Sequence, residues 1–350
     1  TMDGIAIDGR AIGNGVTGFR IAGIQAAGQA QQKVPDASHC YEVMTGAVLP
    51  AGTDTVIPVE RIVIDNGVAT VEAGYSADPG QFVHRRASDH QENELLLNPG
   101  IRISGPDMAI LTAAGNPTVQ VAKDPAVAII ATGDELVDVG EPIADHQIRS
   151  SNDRAIETCL VSRGYCNLAR SRLPDDPAAL LKQIRQLHDA NDVLILSGGV
   201  SMGKYDYVPA ILEELGVRLV FHKILQRPGL PMWFGVSGDD KPVFALPGNP
   251  VSTLVCLVRY VLPALDHACG EAEPPDEYVK LARPVDFSPD LCWFLPVNLV
   301  NQNDESGHAE PRPTNTSGDF IGLRDTGGFV ELARGRNEYP AGYTARLFRW

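Results

Sequence analysis

At 350 residues, with 44% apolar residues and a net charge of −15 from 29 Lys and Arg against 44 Asp and Glu, the chain can bury several cores and is no short binding module. That excess of acid excludes a broad electrostatic surface for nucleic acid or anionic lipid, so any anionic ligand has to meet a local basic cluster. The six cysteines form no C-x-x-C pair, which speaks against a zinc ribbon and for reduced, buried thiols.

No apolar run stands out as membrane-spanning and no signal peptide is evident, so the expectation is a cytoplasmic protein with no membrane and no nucleic-acid partner. Thr1 in place of an initiator Met suggests that a stretch normally precedes this sequence. Residues 1–86 carry Gly, Val, Ile and Thr in short runs such as TDTVIPVERIVI, broken at Asn66-Gly67 and Pro79-Gly80, which predicts a β-rich domain. From 87 to 121 the texture changes. Ser104 is placed to cap a short helix with Pro106 in its first turn and Gly115 at its end, a partly helical linking segment.

From 122 to 270 strands and helices alternate. AVAIIAT is followed by a helix from about 152 to 163, a strand near 167–171, and a helix capped by Asp175 or Asp176 with Pro177 in its first turn. DVLIL, a helix ending at Gly216, VRLVFHKIL, PMWFG, PVFAL and the helix VSTLVCLVRYVLPAL complete the series. Such alternation predicts a three-layer α/β domain around a largely parallel sheet. The joint GEAEPPDE closes it, and 275–350 reads as short strands with Gly and Pro turns, a C-terminal β-barrel or sandwich.

Ligands of open α/β sheets bind beyond the carboxyl ends of the strands, where loops and helix N-termini collect. Four unusual loops fall there: Thr132-Gly133-Asp134-Glu135; Ser197-Gly198-Gly199 through Ser201 to Asp206; Gln226-Arg227-Pro228-Gly229; and Pro247-Gly248-Asn249-Pro250, followed by Ser252 at a helix start. Gly198, Gly203 and Lys204 come within one residue of a phosphate-cradling P-loop, but Tyr205 stands where a small hydroxyl must ligand magnesium. Glu135, Asp206 and either Asp175 or Asp176 are hard oxygen donors of the kind magnesium prefers. The plainer role for Asp175 or Asp176 is helix capping. Lys223 and Arg227 are the cationic counterpart, four apart on an extended segment whose alternation puts both on one face.

These loops, with MDGIAI (2–7), TGAVLPAGTDTVIPVE (45–60), ATGDEL (131–136), SSN (150–152), SGGVSMGKYDY (197–207), RPGLP (227–231) and LPGNPVS (246–252), resemble the MoeA family of molybdopterin molybdenumtransferases, whose relatives include the gephyrin E domain. The resemblance implies a central domain similar to the MogA and MoaB proteins. It implies that adenylylated molybdopterin and molybdate enter and that AMP and molybdenum cofactor leave, with Mg2+ and an elongated homodimer. A MogA-like adenylyltransferase is the implied partner.

On that resemblance, Asp3, Thr45, Asp89, Glu135, Asp206 and Lys223 are the implied catalytic residues, Asp3 and Asp89 being supplied by the partner subunit, and Arg227, Pro228, Ser252 and Ser317 line the pterin phosphate and molybdate pocket. The family pattern is departed from at Ser150, Lys204, Arg227, Leu230 and Pro296. Pro296 stands near an arginine that holds molybdate in relatives, and Arg312 is the candidate to restore that charge. Two other readings compete: a catalytically impaired molybdopterin-binding scaffold, and a different pterin-nucleotide or nucleotide hydrolase.

Overall fold

The computed structural model describes residues 2–200, 206–300 and 307–350. They form two compact units, Thr1–Asn98 and Pro99–Trp350. In the first unit six strands make one mixed sheet in the order Thr55–Pro58, Gly4–Ile7, His39–Val43, Gly18–Gln25, Val68–Val71, Ile62–Asp65. Gly4–Ile7 is buried along its whole length, with Ile5 and Ile7 facing Phe19 and Ile57 and Ala6 facing Tyr41 and Val56. The Asn66-Gly67 turn works as expected: φ values of 47° and 76° give the two left-handed residues of a tight hairpin between Ile62–Asp65 and Val68–Val71.

The second unit is built on a six-stranded sheet in the order Leu168–Leu173, Val127–Thr132, Val193–Ser197, Pro242–Leu246, Trp233–Val236, Arg218–His222. The three central strands run parallel, and Trp233–Val236 is antiparallel to both its neighbours. Val127–Thr132 and Val193–Ser197 are buried throughout, because helices cover both faces and alternate side chains enter separate cores. Ile129 and Ile195 pack with Ile156, Val255 and Leu262 on one face, while Ile130 and Leu196 pack with Leu180 and Ile184 on the other. The helical run Pro250–Ala268 has the length and a mean hydropathy of 1.2 that a membrane span needs, which corrects the expectation of no such run. Its Val255, Leu257, Val261 and Leu265 lie in the core, and it is the central helix of this layer.

The C-terminal strands close a ring: Cys292–Val300, His308–Pro311, Glu277–Leu281, Thr344–Arg349 and Gly328–Leu332, the last pairing back onto Cys292–Val300. This barrel is joined to the α/β layer by more than a linker. Phe294 and Phe329 enter the same core as Val127 and Val255, and Gln226–Arg227 adds to the barrel as a strand parallel to Cys292–Val300. The extended segment expected to align Lys223 with Arg227 is therefore broken. Its strand stops at His222, Lys223 takes a left-handed φ of 66°, and main-chain hydrogen bonds from Lys223 to Met232 and from Ile224 to Leu230 fold the chain back. Alternation along a strand does not relate the two cations.

Ser104 and Asp107 form a capping box at the start of helix Gly105–Ala113, which buries none of its residues. The segment before it is tied to the α/β layer at Asp266. This carboxylate, mostly buried, accepts hydrogen bonds from the Tyr165 hydroxyl at 2.7 Å, Arg163 at 3.1 Å and Arg102 at 3.2 Å. Asp266→Ala takes the acceptor from Tyr165 and Arg163, while Arg102 keeps Glu271 at 2.6 Å, and we expect it to lower the unfolding free energy of the second unit by about 2 kcal/mol in urea titrations. A change below about 0.5 kcal/mol, the scatter of surface substitutions, would show that the cluster is solvated and dispensable.

Candidate active site

At the carboxyl edge of the parallel sheet the three central strands end level with one another, and their loops line a hollow of about 870 Å³. Gly198 and Gly199 follow Val193–Ser197 with φ values of 101° and 68°. A Cβ on Gly198 would lie 2.7 Å from the Thr132 carbonyl oxygen, and one on Gly199 would lie 2.7 Å from Val208. No other residue fits, so the backbone forms a bare floor beside Thr132, which is itself buried with a hydroxyl lacking any partner among the described residues. Asn152, at the start of helix Asn152–Ser162, clamps two of the loops: its Nδ2 donates to Ser197 Oγ at 2.9 Å and to the Gly248 carbonyl at 2.7 Å.

Glu135, Asp175 and Asp206 line this hollow with Thr132, Gly133, Ser197, Gly198, Gly199 and the Pro247-Gly248-Asn249-Pro250 loop. The two candidate caps separate. Asp176 accepts the Ala179 N–H and caps helix Pro177–Ala190, which leaves Asp175 to the site. Asp134 lines a neighbouring hollow of about 540 Å³, and its Oδ1 accepts the Asp175 N–H at 3.1 Å. Burial, and then the nearby Asp134, Glu135 and Asp206 carboxylates, raise the Asp175 carboxyl above its usual value. Acids of like sign are thus close enough to feel one another. Among the described lining residues Arg149 is the sole cation, and its guanidinium donates to the Asp138 carbonyl at 2.6 Å.

The basic residues lie apart from these acids. Arg227 and Pro228 line a smaller hollow of about 150 Å³ with Asp286, Phe287, Trp293, Pro296, Thr316 and Ser317. Gln226 holds that loop from beneath: almost wholly buried, it donates to the Pro228 carbonyl at 3.0 Å and accepts from the Tyr260 hydroxyl. Lys223 lines neither hollow, and Ser252 is buried inside its helix away from both linings. Arg312 donates its main-chain N–H to the Pro296 carbonyl at 2.8 Å, so its residue stands beside the hollow without lining it.

The two hollows meet at one segment. Asn249 of the larger donates to Ser317 Oγ of the smaller at 2.8 Å, and the Ser317 carbonyl accepts the Val251 N–H at 3.0 Å. Ser201, with Gly203, Lys204 and Tyr205, lies outside the described residues. Asp3, Thr45 and Asp89 belong to the first unit. Asp3 accepts hydrogen bonds from the Thr45 N–H at 2.6 Å and its hydroxyl at 3.0 Å, which lower the Asp3 carboxyl below its usual value. Asp89 pairs with His84 at 2.9 Å. Asn152 and Phe320 are lining residues that sequence reasoning passed over, although the SSN motif contained the first.

Comparison with known proteins covers the whole chain. The family described as "MoeA N-terminal region (domain I and II)" matches residues 1–115, "Probable molybdopterin binding domain" matches 128–267, and "MoeA C-terminal region (domain IV)" matches 278–347. A molybdopterin molybdenumtransferase of Synechocystis sp. is 37% identical over 350 residues, covering 100% of this chain and 87% of that protein. Its counterpart in Bacillus subtilis is 27% identical, covering 94% of this chain and 77% of its own length. Two crystal structures of the molybdopterin biosynthesis MoeA protein from Pyrococcus horikoshii align with TM-score 0.78, covering 100% of this chain and 86% of theirs, at 28% and 23% identity.

Because the Asp175 carboxyl is raised in the folded chain, the stability contributed by its protonated form is complete below the unfolded value near 3.8 and is lost as pH rises through the folded value. Asp175→Asn should therefore raise the thermal midpoint at pH 7 in chelator, with the gain shrinking towards pH 3.5. A variant less stable than the parent at pH 7 would mean that the carboxylate has a compensating cation or donor.

Proposed function

The chain belongs to the MoeA family of molybdopterin molybdenumtransferases, and from that premise we propose that it completes molybdenum cofactor assembly. Adenylylated molybdopterin and molybdate are its substrates, and AMP and molybdenum cofactor are its products. The observation that carries this reading is the pairing of an acid-rich hollow, floored by glycine backbone, with a small arginine-bearing hollow across the Asn249–Ser317 hydrogen bond.

Cleaving the phosphoanhydride to adenylate spreads negative charge over phosphoryl oxygens, so the protein has to position the groups and neutralise charge rather than supply a strong nucleophile. Glu135 and Asp206, with Asp175 beside them, offer hard oxygen ligands that suit Mg2+. Among the described residues no three acid, His or Cys side chains gather as a metal site, so phosphate oxygens and water would have to complete the coordination. Bound magnesium would supply positive charge at the phosphoryl oxygens. The Gly198-Gly199 backbone and the start of helix Pro250–Ala268 orient the phosphates, and Asn152 holds the two loops at fixed separation.

In the smaller hollow Arg227 and the Ser317 and Thr316 hydroxyls suit a tetrahedral dianion such as molybdate. Asp286 shares this hollow, and Pro296 contributes no charge, so Arg312, whose main-chain N–H meets the Pro296 carbonyl, is the reserve cation. We further place Thr45, and Asp3 and Asp89 of a second subunit, in the reaction, in a cytoplasmic homodimer fed by an adenylyltransferase of the MogA kind.

Purified protein given adenylylated molybdopterin, magnesium and molybdate should release AMP in a molybdate-dependent manner. Glu135→Gln and Asp206→Asn should each lower turnover by at least about tenfold, the loss of one charge-stabilising contact. Tight pterin binding without molybdate-stimulated AMP would reject the transferase in favour of the scaffold reading. In the same protein, adding magnesium should raise the thermal midpoint, and Asp175→Asn should remove part of that rise.

A further inference from the structure

The lining of the larger hollow includes three buried polar residues, Thr132, Ser197 and Ser150, beside the buried apolar Ala131 and Val200. Its most exposed apolar residues are Ile148 at 55%, Ile143 at 46% and Phe320 at 45%. Such a cavity suits a ligand with a charged end that seeks backbone N–H groups and a flat, poorly hydrated end that leaves water at the rim.

An exposed apolar side chain is by itself ordinary. Phe320 differs in place and in rigidity, being the sole aromatic lining this hollow among the described residues. It opens the 3₁₀ turn Phe320–Leu323, whose capping Asp319 accepts the Gly322 N–H at 3.2 Å and the Asn315 N–H at 3.1 Å. The turn is fastened at both ends: Leu323 packs on the main core, and Ser317 is bonded to Asn249 at 2.8 Å and Val251 at 3.0 Å. The ring is thus presented on a held backbone, and little ordering remains to be done when a planar group settles on it.

We propose that Phe320 is the platform on which the adenine of the nucleotide half stacks, so that the larger hollow takes the nucleotide end of the substrate, phosphates inward and base at the rim. Adenine is the fitting partner because it is fully aromatic and flat, whereas a reduced pterin is puckered over part of its ring system. Base–aromatic stacking tolerates differences in base edge, so Phe320 selects a planar base over none without reading its hydrogen-bonding pattern. This inference rests on the adenylylated-substrate reading above.

The test is calorimetric titration of the intact protein with AMP and with ribose 5-phosphate, both in magnesium buffer. The parent should bind AMP more tightly than ribose 5-phosphate. Phe320→Ala should weaken AMP by about tenfold or more, the size of one lost base–aromatic stack, and leave ribose 5-phosphate unchanged. Phe320→Trp should keep AMP within about threefold, since the larger ring still stacks. Ile321→Ala, on the same turn but outside the lining, should change neither ligand.

Equal affinities of the parent for the two ligands, no binding of either, an equal loss for both in Phe320→Ala, or no loss in that variant would each overturn the proposal. The wider reading fails separately: a protein that stacks AMP on Phe320 yet releases none with molybdate has the nucleotide site without the transferase. Molybdate-dependent release that Phe320→Ala leaves intact, together with unaltered AMP affinity, removes the platform alone.

Discussion

The constraint on which the site depends is the double burial of the parallel sheet. Val127–Thr132, Val193–Ser197 and Pro242–Leu246 can satisfy their main-chain groups only by lying side by side in register, because helices on both faces shut out water. In-register parallel strands finish together, so their exits converge. There the chain must turn within the space between Thr132 and Val208, and glycine at 198 and 199 is the only solution the packing allows. The bare, N–H-rich floor follows from the same geometry that builds the core.

Charge is arranged around that floor in a way composition could not foretell. Glu135, Asp175 and Asp206 crowd one hollow, where burial and then the Asp134, Glu135 and Asp206 carboxylates make Asp175 reluctant to ionise, while Arg227 opens on another. Like charges held together oppose folding, and a fold retains them where a counter-charge arrives with the ligand. Separation of the acids from Arg227 also suits a reaction with two anionic reactants, since each meets its own set of donors. The segment around Ser317 is what keeps the two sets adjacent.

That segment belongs to the barrel, and the barrel is not a passive appendage. Its strand Cys292–Val300 pairs with Gln226–Arg227, and its Phe294 and Phe329 share the core beneath the α/β helices. Arg227 is therefore positioned from two sides, by the barrel ladder and by the buried Gln226, which Tyr260 holds by a hydrogen bond. The comparisons with MoeA proteins extend over both parts, and the packing explains why this pair of architectures travels as one unit.

Period, turn residues and motif spacing in the sequence determined the element order, the parallel sheet, the Asp176 or Asp175 cap, the Asn66-Gly67 turn and the family. These are local properties, or ordered strings of them, and they need no knowledge of distance. The sequence also named twelve of the 25 residues lining the larger hollow, because ligands gather where parallel strands end. Only the tertiary structure decided that Asp176 rather than Asp175 caps its helix, that Lys223 bends the chain out of its strand, that Ser252 turns inward, and that Arg227 faces a hollow of its own. Asn152 and Phe320 became visible for the same reason. Each of those outcomes depends on contacts between residues remote in sequence, and whether a side chain at a loop points to solvent, to a ligand or to the core is fixed by what packs against it.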